Sequence, residues 1–311
     1  MRALVLGGNG FIGSHVVDEL LSAGYDVNVF DRNTEKWRLP IFGVNYFLGD
    51  FADTTLLTQA LQAVDVVVHL ICSTIPSTSN LDPVADIQSN LVNTVIFLQL
   101  MLASNIKRIV FLSTGGAVYG QPSVSPVPET HALNPICSYG VVKVAIEKYL
   151  GMFAHLYDLR PMIIRPANLY GPRQGYQSEF GAVSTFMAQM LAKKKIQIWG
   201  NGTVKRDYLF VTDLAKLCRL AIEKDAVGVV NAGSGKAVSL NELVDLIREE
   251  TRSDVEIEYT ESRKFDVKEI VLDSTEAKRM FGWQPRISIQ KGLSISHEWM
   301  KVSALPNMDK H

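Results

Sequence analysis

The sequence predicts an α/β fold, a doubly wound parallel sheet with a smaller, discontinuous α/β lobe attached. Three observations lead there. Short runs rich in Val, Ile and Leu alternate with helix-length amphipathic stretches over the first half of the chain. The runs are apolar at nearly every position rather than at every second one, as strands covered on both faces require. The first run passes directly into a glycine-rich turn, GGNGFIG (7–13), followed by a helical pattern.

In chain order, ALVLGG (3–8), DVNVFD (26–31), VNYFLGD (44–50), DVVVHLIC (65–72), RIVFLST (108–114) and PMIIRP (161–166) read as strands, and residues 1–165 as one unit. Residues 166–311 read as the smaller lobe, with parts of 205–232 returning to the large sheet. That lobe opens with the Gly/Pro/Gln-rich LYGPRQGYQSEFG (169–181), then a helix near 182–194 and the strand candidates IQIWG (196–200) and DYLFV (207–211). A helix follows at SLNELVDLIREE (239–250), where Ser239 and Glu242 have capping-box spacing. The strand VEIEY (255–259) and two further helices complete the lobe.

Composition narrows the partners. At 311 residues, 47% hydrophobic and 20% charged, the chain can bury one large core or a core with a smaller companion. A formal charge of -1 and a pI near 6.6 give no attraction for nucleic acid. No apolar stretch is long enough to insert into a membrane. Cys72, Cys137 and Cys218 are widely spaced and odd in number, which points to reduced thiols, a cytoplasmic location and no metal site. Met1 runs at once into a strand pattern, so no signal peptide is expected. The run Lys193-Lys194-Lys195 reads as a solvated helix end.

Gly7, Gly10 and Gly13 have GxxGxxG spacing between a strand and a helix that opens with Phe11 and Ile12. There the backbone can approach a pyrophosphate at the positive end of the helix. Asp31, closing the second strand, can accept from both ribose hydroxyls and repels a 2′-phosphate, which favours NAD over NADP; Arg32 beside it pulls the other way. Asp50 reaches the adenine edge if the third strand lies next in the sheet, and otherwise starts the helix at 53–62. Phe51, Leu70, Ser113 and Pro166, at or just past strand ends, complete the expected cofactor contacts.

In SYGVVKVAIEKYL (138–150), Tyr139 and Lys143 are four residues apart and so share one face of a helix, about 6 Å apart along its axis. A phenol titrates near pH ~10, and a neighbouring ammonium stabilises the phenolate and makes it a usable acid/base.

Taken together, GGNGFIG, Asp31, STGGAVYG, SYGVVK, RPANLYGPRQ, RDYLFVTDLA and RKFDV…FGWQP resemble the extended short-chain dehydrogenase/reductases, and among them the nucleotide-sugar epimerases and dehydratases. The resemblance implies a Rossmann fold, bound NAD and a nucleotide-diphosphate sugar as substrate. It makes Tyr139 the acid/base and Lys143 the group that lowers its pKa and holds the nicotinamide ribose. Asn168 would lie near the sugar, Arg206 and Arg263 would clamp the diphosphate, and Tyr208 would join them in the substrate site. Asn90 would lie near the cofactor. Ile270, seven residues after Arg263, would limit the room beside the sugar's C2 substituent. Family members usually form homodimers through helices corresponding to 83–104 and 139–157.

Two departures bear on the reaction. The family's strand-end hydroxyl falls on Gly115, so Thr114, Ser113 or a water must stand in. The acidic residues that the family's dehydratases and decarboxylases use just beyond it are here Gly116 and Ala117. Epimerisation is the expectation that remains, at C4 of a UDP-hexose or UDP-N-acetylhexosamine through a 4-keto sugar. The alternatives are a 4-keto-sugar reductase and a non-catalytic nucleotide-binding protein.

Overall fold

The computed structural model describes residues 1–176, 181–262 and 267–303. The large unit opens with β1 (Arg2–Leu6), α1 (Phe11–Ser22), β2 (Asp26–Asp31), β3 (Asn45–Leu48), α2 (Thr54–Ala60) and β4 (Val66–His69). A long helical passage follows: α3 (Pro83–Asp86), a π-helical turn (Ile87–Val92) and α4 (Asn93–Ala103). Then come β5 (Arg108–Leu112), the single turn α5 (Gly115–Val118), α6 (Ser138–Tyr157) and β6 (Arg160–Pro166). The remaining elements are β7 (Asn168–Tyr170), α7 (Ala182–Leu191), β8 (Ile196–Trp199), β9 (Lys205–Phe210), α8 (Val211–Glu223), β10 (Gly228–Ala232), β11 (Ala237–Ser239), α9 (Leu240–Thr251), β12 (Ile257–Thr260), β13 (Glu269–Ile270), α10 (Thr275–Phe281) and α11 (Ile289–Ser303).

Seven parallel strands form the main sheet in the order β10-β6-β5-β4-β1-β2-β3. Ala3 to Leu6 of β1 are wholly buried, as a central strand covered on both faces must be. One core lies on the side of α1 and α8, where Val16, Val17 and Leu20 meet Leu214, Leu217 and Cys218. The other lies under α2, α4 and α6, with Leu57, Phe97, Met101, Ile146 and Leu150. β1 has β2 on one side and β4 on the other, so the chain reverses direction across the sheet there and leaves a crevice beyond the strand ends.

Of residues 205–232, only β10 joins the main sheet, pairing with β6. β9 instead pairs with β7, β11 and β13 in the smaller unit. Its Asp207, 1% exposed, accepts from Ser234 N at 2.7 Å, Ser234 Oγ at 2.6 Å, and Gly235 N and Leu272 N at 3.2 Å each. A buried carboxylate must be hydrogen-bonded, and these donors pin β9 to the loop leaving β10 and to the segment after β13. Asp213 repeats the device, accepting from Arg286 N and Ile287 N at 3.0 Å, while its carbonyl accepts from Trp283 Nε1 at 2.8 Å. The acidic residues of RDYLFVTDLA and the tryptophan of FGWQP thus hold the smaller unit together. Ser239 and Glu242 form the capping box of α9.

Candidate active site

The glycine turn is tight for identifiable reasons. Gly7 has φ +80°, open to glycine at no steric cost, and its N–H donates to Phe30 O at 2.8 Å. A Cβ on Gly13 would lie 2.0 Å from Gly7 O, so only glycine lets α1 rest against the turn. No side chain caps α1, so the N–H groups of Phe11, Ile12 and Gly13 have no acceptor within the helix and lie at its positive end. Ile12 anchors that end by packing on the core. Asp31 closes β2 with both oxygens in use: Asn9 N donates to Oδ2 at 3.0 Å and Asn33 N to Oδ1 at 3.1 Å. Each oxygen keeps a second lone pair for a ribose hydroxyl.

A cavity of about 740 Å³ runs from Asp31 and Arg32 past Gly7, Gly10 and Phe11 to Asp50, Phe51, Leu70 and Cys72, with Arg173 to Tyr176 along its other side. β3 lies beside β2, so Asp50 faces this cavity; α2 is started instead by Asp53, which accepts from Leu56 N at 2.9 Å. The uncapped helix donors, the carboxylate at the end of β2 and the cavity's length along the strand ends fit NAD.

Tyr139 and Lys143 lie one turn apart on α6. The Thr114 hydroxyl lies by the Tyr139 phenol and acts to lower its pKa. Lys143, 3% exposed, donates from Nζ to Leu112 O at 2.9 Å, with Nζ 4.8 Å from the Phe111 ring centre and 5.9 Å from that of Tyr139. The net shift of the phenol's pKa in this arrangement is upward. Burial dominates and pushes it well above the ordinary value; Cys72, Cys137 and Asp86 add to the rise and the Thr114 hydroxyl opposes it. Tyr139 is thus a neutral phenol near neutral pH.

Thr114, one residue before the Gly115 position where a hydroxyl is expected, is the residue whose side chain lies by Tyr139. Thr114 is extended (φ -154°, ψ 122°), and α5 starts immediately after it. A side chain at 115 would point away from the site, its Cβ 2.4 Å from Leu272 Cδ1. Gly116 lies between two polar groups: a Cβ there would be 3.3 Å from Asn168 Oδ1 and 3.8 Å from Thr114 Oγ1. Asn168, which opens β7, is exposed beside them.

Ser113, expected at the cofactor, turns the opposite way. Its Oγ donates to Glu147 Oε1 at 2.5 Å. Glu147 is held by Arg165, whose Nη2 donates to Oε2 at 2.6 Å and Nε to Oε1 at 3.0 Å, both side chains being buried. Arg165 also donates to Tyr119 Oη at 2.9 Å, and Tyr119 Oη to Asn231 Oδ1 at 2.7 Å. Sequence reasoning missed this network, although Glu147 follows Lys143 at the same four-residue spacing. Asn90 is also committed to the fold, accepting from Ser73 N at 2.9 Å and donating to Asp86 Oδ1 at 2.8 Å. Pro166 is buried at the end of β6, in register with Ala232.

The expected substrate residues are dispersed. Arg206 donates to Val267 O at 2.5 Å and Lys205 O at 2.9 Å. Tyr208, its phenol pushed up to about 12 by burial against the opposing charge of Arg206, packs edge-on to Tyr170 and borders a different cavity of about 650 Å³, near Glu242 and Arg286. Ile270, 2% exposed, packs in the large core rather than along a described cavity. Arg263 lies outside the described residues.

Comparison with known proteins agrees with this geometry. Residues 3–233 match the NAD dependent epimerase/dehydratase family. The chain is 34% identical to a UDP-glucose 4-epimerase of Mycolicibacterium smegmatis, over 97% of this chain and 99% of that one. The fold superposes with TM-score 0.92 on the UDP-glucose 4-epimerase of Thermotoga maritima solved with UDP-glucose, at 36% identity over 97% of this chain and 99% of that one. It superposes with TM-score 0.91 on the Thermus thermophilus UDP-glucose 4-epimerase in complex with NAD, at 30% identity over 97% and 99% of the two chains. At 29% identity, over 96% of this chain and 89% of the relative, it also matches UDP-glucuronic acid decarboxylase 5 of Arabidopsis thaliana. With the glycine turn, the carboxylate closing β2 and the tyrosine and lysine of α6 in place, the chain belongs to the NAD-dependent epimerase/dehydratase family of extended short-chain dehydrogenase/reductases.

Proposed function

We propose that the protein is a UDP-sugar 4-epimerase that retains its NAD and acts on a UDP-hexose or UDP-N-acetylhexosamine through a 4-keto sugar. The observation that carries this reading is the Thr114 hydroxyl by the Tyr139 phenol, with Lys143 one turn along α6 and no acidic side chain at Gly116 or Ala117. Bound in the cavity, NAD supplies reversible hydride acceptance at the sugar carbon. Tyr139 takes the proton of the sugar hydroxyl and returns it once the ketone has presented its other face. A phenol whose pKa is raised by burial is a strong base once deprotonated, and Lys143 is the cation at hand to support that charge. Thr114 shares the proton in transit. Asn168 contacts the sugar, and Arg206 turns to the diphosphate. Loss of water or of carbon dioxide would call for an acid beside Thr114, where the chain has only glycine and alanine.

The test is incubation of purified protein with UDP-galactose and no added cofactor, with sugars separated chromatographically and protein-bound nucleotide identified by mass spectrometry. Conversion to UDP-glucose with retained NAD is expected. Failure to interconvert any UDP-, dTDP- or GDP-sugar pair would sink the reading, and, in a separate incubation with a nucleotide 4-keto sugar and added NADH, oxidation of one NADH per ketone reduced would identify a 4-keto-sugar reductase.

The same reading includes a cytoplasmic homodimer. Val84 and Ile87 of the long helical passage and Val141, Met152 and Leu156 of α6 are exposed apolar side chains, and all three cysteines are free. Light scattering should show a dimer that Met152→Glu converts to monomer.

A further inference from the structure

The residue before α6, Cys137, provides no side-chain cap. The donors at the start of this helix are met from elsewhere in the chain: Ser138 N donates to Asn80 Oδ1 at 2.9 Å and Tyr139 N to Ser79 Oγ at 3.1 Å. Both acceptors lie on the loop between β4 and α3. That loop is tied down at its near end, where Ser73 N donates to Asn90 Oδ1 at 2.9 Å and Thr74 Oγ1 to Asp86 Oδ1 at 2.7 Å. Asp86, 0% exposed, also accepts from Asn90 Nδ2 at 2.8 Å on Oδ1 and from Ser138 Oγ at 2.7 Å on Oδ2. Among the described residues, no cation pairs with this carboxylate. Asp86 closes α3 where the helix widens into the π-helical turn, a distortion common at functional positions. A buried carboxylate carries a desolvation cost, and three hydroxyl or amide donors from three segments offset it only while all three segments stay in place.

We propose that Asp86 is a positioning residue for Tyr139: its carboxylate clamps the 73–80 loop to the first turn of α6, and the loop in return caps that turn and fixes the direction of the phenol. The proposal rests on Tyr139 being the acid/base of the reaction above. It predicts that breaking the clamp slows the proton step while leaving ground-state binding in place.

Asp86→Ala, Asp86→Asn and Ser138→Ala in the full chain test it by steady-state kinetics and amide hydrogen exchange. Asp86→Ala should lower kcat about 10- to 100-fold, as misplacement of a reacting group by about 1 Å does, with KM and bound NAD within about twofold of wild type. Exchange at 73–80 and 138–140 should rise at least about tenfold while the second half of α6 stays protected. In Asp86→Asn the remaining oxygen keeps Thr74 and Asn90, and the new amide donates to the rotatable Ser138 hydroxyl. That variant should therefore recover kcat to within about threefold of wild type. Wild-type kcat in Asp86→Ala would overturn the proposal, as would parallel loss of kcat, KM, NAD and melting temperature in both Asp86 variants. Should Asp86→Ala not fold, Ser138→Ala severs only the α6 arm, and unchanged exchange at 138–140 in that variant would overturn it equally. A wild type inactive on every nucleotide sugar would sink the epimerase reading but leave the exchange pattern as a test of the clamp.

Discussion

Ser113 and Thr114 are neighbours whose side chains serve two different regions. Below the turn, Ser113 enters a network in which Glu147, Arg165, Tyr119 and Asn231 satisfy one another away from water. Above it, Thr114 meets a largely buried tyrosine, an exposed asparagine and a bare glycine, groups with capacity left for a ligand. Extended backbone sends successive side chains to opposite sides, so one residue's difference in position separates scaffold from chemistry. A saturated polar cluster supports a partly unsaturated one, and the two should fail in different ways.

The sharpest break is Tyr139→Phe. Turnover should fall about 10²- to 10⁴-fold, the range of general acid/base catalysis, with melting temperature and NAD content unchanged; near-wild-type turnover would remove Tyr139 from the mechanism. Glu147→Ala should do the reverse, costing about 3–5 kcal/mol in urea unfolding because Arg165 is left buried and unpaired. If the variant is stable but slow, the lower cluster belongs to the chemistry after all.

Thr114→Val removes one hydroxyl from the upper side and should slow turnover about 5- to 150-fold, equivalent to about 1–3 kcal/mol, with little change in stability. The adjacent glycines sharpen the contrast further. Gly115→Ala must displace Leu272 and should destabilise by about 1–3 kcal/mol, whereas Gly116→Ala crowds Asn168 and Thr114 and should raise KM at nearly constant melting temperature. Equal effects of the two would erase the boundary drawn here.

A different kind of effect concerns pH. His15, whose Nε2 meets Pro172 O at 2.9 Å, has its pKa lowered to about 4, chiefly by burial. Its folded value lies below the unfolded one of about 6.5, so its contribution is complete above that pH and is lost as pH falls toward 4. Thermal melts should weaken between pH 6.5 and 4, and His15→Gln should flatten that dependence.

Much of this was legible in the residues. The six strand runs, the glycine turn, Asp31 and the Tyr139–Lys143 pair follow from local periodicity and spacing, which short-range sterics enforce. The choice between Ser113 and Thr114 was not, because it depends on where the one-turn α5 begins. Glu147 with Arg165, and Asp86 with Ser138, are pairings across the fold that no local pattern signals. Tyr208 and Ile270 illustrate the complementary limit. A motif gave their order along the chain, but the packing of β9 and β13 decides which way they face, and it turns them to a separate cavity and to the core.

The edge strand β10 has a consequence for how such a chain is made. Asn231 on that strand donates to Val127 O and accepts from Tyr119, and its N–H donates to Glu129 Oε1. A nascent polypeptide that has emerged from the ribosome only as far as Pro166 therefore holds Tyr119 without its acceptor and β6 with an open, apolar rim. Such a rim can recruit strands from neighbouring chains. The strand that seals it is translated only after β7, α7, β8, β9 and α8, so the nucleotide half cannot mature ahead of the lobe that follows it. A fragment ending at Pro166 should aggregate rather than fold.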